Sequence, residues 1–281
     1  MDSNLVKIVN TVFDEMIATR HSKYKWWLRA LRYAPLPGNY SEERKALMLM
    51  FYAAMRAIDD YVDGDRQIPG NLTPIAYVQR KLEFLRTGSK PLDEIELLIH
   101  YSINIGEILS VDVRKGGYDI VSSLLWDAQR RENFLNTGQL QAYPEKELHH
   151  HFDLLDIRGT IPWTLRIFGE DLEKYMYLEN LGLAARKYYN LRDFEDDLKA
   201  GFVNISLEDC QRLCIDLNAL QSQHHPAIRQ WFIEQAQSGI FLIADHRRNL
   251  PQAHLRWFGR LALFVMYEQS AQRYFRKVLN A

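Results

Sequence analysis

Residues 188–206 read YYNLRDFEDDLKAGFVNIS. The centre of this stretch is Arg192-Asp193-Phe194-Glu195-Asp196-Asp197. Asp193 and Asp197 are four apart, so on a helix their carboxylates lie on one face, one turn from each other. Two carboxylates held that close repel, and a hard divalent cation offsets the repulsion. Mg2+ takes oxygen ligands, keeps several waters, and is usually held by one or two carboxylates together with substrate phosphates. Standing alone, the pair would fit a solvated acidic helix face better than a metal site.

It does not stand alone. Residues 56–65 read RAIDDYVDGD. Asp59 and Asp63 repeat the spacing, Asp60 lies between them, and Arg56 precedes them as Arg192 precedes Asp193. The residues before them (Leu47, Met48, Met50, Phe51, Ala54, Met55) describe a helix buried on most sides. Carboxylates at the end of such a helix need partners, because unpaired buried charge is very costly. Two helices of this kind facing one another would line a cavity with four to six carboxylates, suited to Mg2+ ions bridging to a diphosphate.

Outward from these motifs, helical signals dominate. Leu5, Ile8, Val9, Val12, Phe13 and Met16 have helical spacing. Ser41 followed by Glu42 and Glu43 predicts a helix start, and Thr73-Pro74 predicts another. Further helices are predicted over 91–111, 119–136, 145–168, 178–199 and 253–279, with breaks at Gly116-Gly117, Pro162, His225-Pro226, Ser238-Gly239 and Leu250-Pro251. No sustained apolar/polar alternation and no Asn-Gly or Asp-Gly hairpin turn is present. The chain therefore reads as all-α, one domain over 1–281. The polar run Asp127, Arg130, Arg131, Glu132 reads by default as a solvated helix end. His149, His150 and His151 cannot share one helix face, so they predict a partly exposed helix rather than a three-histidine metal site. The segment His21-Ser22-Lys23-Tyr24 fits an anion-binding cluster or a polar helix end equally well.

The 281 residues carry 35 basic and 36 acidic side chains, a balance that argues against nucleic acid as the partner. Cys210 and Cys214, four apart, read as reduced thiols rather than a disulfide framework or a zinc site. No secretory signal and no run of 18 apolar residues is seen, so a cytoplasmic protein without a membrane span is expected, with peripheral membrane contact left open.

These residues together resemble the squalene/phytoene synthase family of head-to-head prenyl transferases. His21-Ser22-Lys23 is similar to the family's N-terminal diphosphate-contacting segment, and 56–63 to its first aspartate-rich motif. Residues 145–169 are similar to the segment with a Gly-Thr-Val-Gly core, here Gly159-Thr160-Ile161-Pro162. Residues 181–197 are similar to its second motif, followed by Gly201-Phe202-Val203-Asn204-Ile205-Ser206, while Leu250-Pro251 and Tyr267 fit its last helices.

The resemblance implies an isoprenoid synthase-like helical bundle around a central cavity. Mg2+, with Mn2+ as the alternative ion, would be held by Asp59, Asp60, Asp63, Asp193, Asp196 and Asp197. Arg56 and Arg192 would serve the chemistry, and His21, Ser22, Lys23, Tyr24, Arg186, Tyr189, Asn190 and Tyr267 would bind substrate. The substrates would be farnesyl or geranylgeranyl diphosphate, and no NADPH use is implied.

Departures from the pattern are clear. The family's metal-binding Asn falls at Tyr189, with Asn190 one residue late. Its Gln falls at Arg186, its second core Gly at Pro162, and a mid-chain Asp at Glu132. They open one alternative, the same ionisation with an aromatic acceptor or a cyclisation; a second, a non-catalytic assembly factor of the same fold, is implied by relatives that have lost their aspartates, and the intact pairs here argue against it. Chain length, product and oligomeric state are not legible.

Overall fold

The computed structural model describes residues 3–19, 29, 41–217 and 225–281. Every regular element among the described residues is helical; the one β-type contact is an isolated parallel bridge between Tyr143 and Ser206. The chain divides into two compact units, 1–121 and 122–281.

The first unit is built on α1 (Ser3–Thr19), α2 (Glu42–Asp63), α3 (Pro74–Thr87), α4 (Glu94–Ile108) and the start of α5 (Val113–Thr137). Local chemistry sets their ends. The Ser41 hydroxyl accepts from the Arg44 amide at 3.3 Å, with Glu42 and Glu43 at the positive end of the helix, and α2 stops at Gly64 in the left-handed region. Thr73 caps α3, whose Pro74 sacrifices no helical bond at that position, and Gly88 closes it. α4 starts later than the 91 expected, because the Asp93 carboxylate accepts from the Glu96 amide and makes Asp93 the cap. Phe13, Leu47, Met50, Phe51, Ile58, Tyr77, Leu85 and Leu98 form the buried interior, and Lys81 is buried among them with Asp93 and Glu96.

The expected break at Gly116-Gly117 is absent: α5 runs through it without interruption. A Cβ on Gly117 would lie 3.1 Å from Leu85 Cδ2 and 3.4 Å from Phe51 Cε2. Glycine is used there for close helix approach, at the usual helical penalty of about 1 kcal/mol relative to alanine.

The second unit continues α5 and adds α6 (Glu145–Phe152), a π-helical segment (Asp153–Thr160), α7 (Ile161–Ile167), α8 (Glu179–Arg192), α9 (Phe194–Ala200), α10 (Leu207–Arg212), α11 (Pro226–Asn249), α12 (Trp257–Leu263), a second π segment (Phe264–Glu268) and α13 (Gln269–Asn280). Its main core joins Ala184 and Leu191 of α8 to Trp231, Phe232 and Ala236 of α11 and Phe275 of α13. Here too an expected break is missing. α11 continues through Gly239, where a Cβ would stand 2.3 Å from the Phe275 ring.

Two helices expected to be single are divided. The 178–199 helix is interrupted at Asp193 (φ −96°, ψ 6°), although the Asp197 amide still donates to the Asp193 carbonyl at 2.8 Å. The 253–279 helix is divided into α12, the π segment and α13, and the left-handed His254 precedes α12. Pro162 does not end a helix. It sits in the first turn of α7, and the widened π turn ahead of it absorbs the irregularity, with the Thr160 hydroxyl donating to the Leu155 carbonyl at 2.9 Å. No helix among the described residues is long and apolar enough to cross a membrane.

Candidate active site

The first acidic cluster closes α2. Arg56 is its hub, pairing with Asp59 and, at 2.9 Å, with Asp60. Asp63 and Asp65 add to the negative field on Arg56, which holds its proton more firmly than usual despite burial. The Asp60 side chain is only 3% exposed. Burial pushes its pKa up to about 6, and Arg56 only partly opposes the rise. The structure thus brings Arg56, Asp59 and Asp60 into direct contact, with Asp63 on the final turn.

The second cluster lies at the α8–α9 junction. Arg192 grips Asp193 through two nitrogens, one at 2.6 Å, and lies over the Tyr188 and Tyr189 rings at 5.1 and 5.0 Å. Asp197 is pushed up to about 7, by burial first and by the neighbouring Asp193 second; Arg186 and Arg130 pull the other way. It accepts a hydrogen bond from Asn204 Nδ2 at 2.8 Å. Asp196 is not brought to this group. Its side chain is 77% exposed and pairs with Lys199 at 2.8 Å, because the 193–197 spacing turns position 196 outward.

The remaining expected residues separate into four sets. Arg186 donates to Asp156, on the first π segment, at 2.6 Å and packs against the rings of Phe152 and Tyr189. Asn190 is buried, and its side-chain oxygen has no hydrogen-bond partner. Tyr267 is buried with its hydroxyl 2.9 Å from the Thr164 hydroxyl, and burial pushes its pKa up to about 12; that hydroxyl is already engaged. His21, Ser22, Lys23 and Tyr24 lie outside the described residues.

The default reading of 127–132 fails. Arg130 is buried, not solvated: it donates to Asp127 at 3.0 Å, to the Val203 carbonyl at 2.8 Å and to Asn204 Oδ1 at 3.1 Å. The rings of Trp126, Phe202 and Tyr143 surround its guanidinium at 4.6, 5.2 and 5.5 Å. Asp127 in turn lies 3.3 Å from Nε2 of the buried His151, while His149 and His150 are exposed. Helical Asp127–Arg130 spacing directly after an apolar Leu-Leu-Trp run was the available signal for this cluster.

Among the described residues, no three His, Cys, Asp or Glu side chains converge as a self-sufficient metal site. The donors nevertheless fit Mg2+. They are oxygens, the ion needs few protein ligands when phosphates and water supply the rest, and two features mark uncompensated negative potential. One is the placing of the Asp197 carboxylate beside that of Asp193, which adds to the effect of burial on Asp197; the other is the buried, unpartnered Asn190 oxygen.

No protein-family profile matches the chain, and no curated protein sequence matches it. Solved structures do match. A dehydrosqualene synthase in complex with ligand aligns over 99% of this chain and 86% of its own, with a TM-score of 0.63 and 18% identity. Squalene synthase HpnC from Alicyclobacillus acidocaldarius aligns over 99% and 95%, with a TM-score of 0.66 and 11% identity. The chain has the fold of these two synthases. At 18% and 11% identity the likeness shows the fold.

Proposed function

We propose that this chain is a prenyl transferase that ionises an allylic prenyl diphosphate and condenses it head-to-head with a second one, farnesyl or geranylgeranyl diphosphate, in terpenoid, carotenoid or hopanoid-type biosynthesis. The observation that carries the reading is the pair of arginine-led acidic motifs, at 56–63 and 192–197, on a chain with a synthase fold. In this reading Asp59, Asp63, Asp193 and Asp197 hold Mg2+ or Mn2+, and Asp60 supports the first set. The bound ions supply charge neutralisation for the diphosphate leaving group. Arg56 and Arg192 keep the carboxylates oriented and add donors for phosphate oxygens. His21, Ser22, Lys23 and Tyr24 serve the same diphosphate.

One observation favours a second reading. Arg186, where the resemblance expects Gln, is held by Asp156 between aromatic rings, and Tyr189 stands where a ligand Asn is expected. A bulky, cationic wall there suits a changed acceptor: an aromatic co-substrate or an internal cyclisation.

Incubation with Mg2+ and farnesyl diphosphate, then with geranylgeranyl diphosphate, tests both readings, with pyrophosphate release and the mass of the organic extract followed together. A dimeric hydrocarbon or a cyclopropyl diphosphate supports the first. Pyrophosphate release without a dimeric product moves the assignment to the second. No release, together with no Mg2+-dependent diphosphate binding in calorimetry, overturns both and leaves a non-catalytic assembly factor.

A further inference from the structure

A continuous run of polar contacts joins Ser123 to Asp197 within the second unit, and from Arg130 onward the chemistry of the groups sets the direction of each link. Burial and the neighbouring arginines keep His151 neutral, its pKa well below the ordinary value. Its Nε2 faces the Asp127 carboxylate at 3.3 Å, and the Ser123 hydroxyl lies 2.7 Å from Nδ1 and donates to the His151 carbonyl at 3.2 Å. The other Asp127 oxygen accepts from Arg130 at 3.0 Å. Arginine has no acceptor, so the Asn204 oxygen must be the atom that faces it, at 3.1 Å, and the Asn204 NH2 must face outward. That NH2 donates to Asp197 Oδ2 at 2.8 Å. The Asn204 amide therefore cannot flip without placing NH2 against a guanidinium and oxygen against a carboxylate.

The chain is also rigid at its base. Ser123 is fully buried, Arg130 is enclosed by three aromatic rings, and a third Arg130 bond goes to the Val203 carbonyl, one residue before Asn204. The bridge between Tyr143 and Ser206 pins the same segment from its other side, with the Leu207 amide donating to the Tyr143 carbonyl at 2.8 Å. A buried arginine needs partners, but backbone carbonyls would suffice for that. This arrangement instead spends one of its bonds on orienting a side-chain amide toward the acidic pair.

We infer that Asn204 is a positioning residue for Asp197, and that Arg130, held by Asp127 and His151, is the residue that orients it. The inference rests on the proposed function, in which Asp197 is a metal ligand. Outer partners of this kind aim a ligand oxygen and are commonly worth 10- to 100-fold in metal affinity. Here the aim is set by a directional relay rather than by a single contact.

The test is Mn2+ binding to the full chain, followed by electron paramagnetic resonance with inorganic pyrophosphate present and no prenyl substrate. Asn204→Leu keeps the shape and removes the donor; its Mn2+ affinity is expected to fall about 10- to 100-fold. Asn204→Ser adds no bulk and guards against a packing artefact; it should fall in the same direction, with melting unchanged. Arg130→Lys should weaken Mn2+ binding in the natural sequence and add nothing in the Asn204→Leu background, since both act through one path. In turnover, the Mg2+ concentration for half-maximal pyrophosphate release should rise while KM for the prenyl diphosphate holds. Unchanged Mn2+ affinity in Asn204→Leu, or additive losses in the double variant, overturns the inference and leaves the proposed function standing. Absence of Mn2+ binding by the natural sequence overturns both.

Discussion

Replacing Asp60 by Asn should stabilise the protein at neutral pH, although it removes one partner of the half-buried Arg56. Asp60 ends folding in a place where its side chain is 3% exposed. Its pKa is pushed from 3.8 to about 6, with burial as the main cause and Arg56 already counted as an opposing one. A raised carboxyl pKa means the folded chain binds the proton more tightly than the unfolded chain does. Stability from this group is therefore full below the unfolded value and falls as pH rises from about 4 to about 6. A shift of about 2 units at about 1.4 kcal/mol each makes charged Asp60 about 3 kcal/mol unfavourable above that window. Asn mimics the neutral carboxyl and removes that cost. Urea unfolding followed by circular dichroism, in EDTA, should give matching stabilities for Asp60→Asn and the natural sequence near pH 4. At pH 8 the variant should be the more stable, by as much as about 3 kcal/mol. Added Mg2+ should narrow the gap, since a bound cation supports the charged form. Equal stability at both pH values, or a variant weaker at pH 8, would refute the reasoning, because it would mean that Arg56 over-compensates burial.

Three other outcomes are expected. Asp59→Ala and Asp193→Ala should each lower pyrophosphate release by at least about a hundredfold, the scale for groups that support developing charge, with circular dichroism unchanged; a natural rate in either sinks the proposed function. Lys81→Met should cost roughly 3 kcal/mol in urea unfolding, the low end for breaking a buried ion pair, because Arg80 still reaches both Asp93 and Glu96. Gly239→Ala should lower the melting temperature by forcing the Phe275 ring to move, at about 1–3 kcal/mol; a melting curve that does not shift would mean α11 and α13 yield without strain.

Much of this architecture is legible because it is local. Caps and starts depend on neighbours three or four residues away, so Ser41, Thr73-Pro74 and Gly64 mark helix ends in the bare sequence as they do in the structure. The two arginine-led acidic pairs are legible for the same reason, since i to i+4 spacing defines a helix face before any tertiary contact forms. The sequence by itself thus determined an all-helical chain and the residues around which a diphosphate site was to be sought.

Tertiary structure decided what those residues touch. Gly117 and Gly239 look like helix breakers, and only the Leu85 and Phe275 side chains show why glycine is there. Asp196 and Asp197 are adjacent and chemically alike, yet one meets water and Lys199 while the other is half-buried and bonded to Asn204. Arg130 resembles a solvated helix end until residues more than 70 positions away, Val203 and Asn204, close over it. Burial and hydrogen-bond direction are properties of what surrounds a group. When the surroundings arrive from distant parts of the chain, no local pattern encodes them.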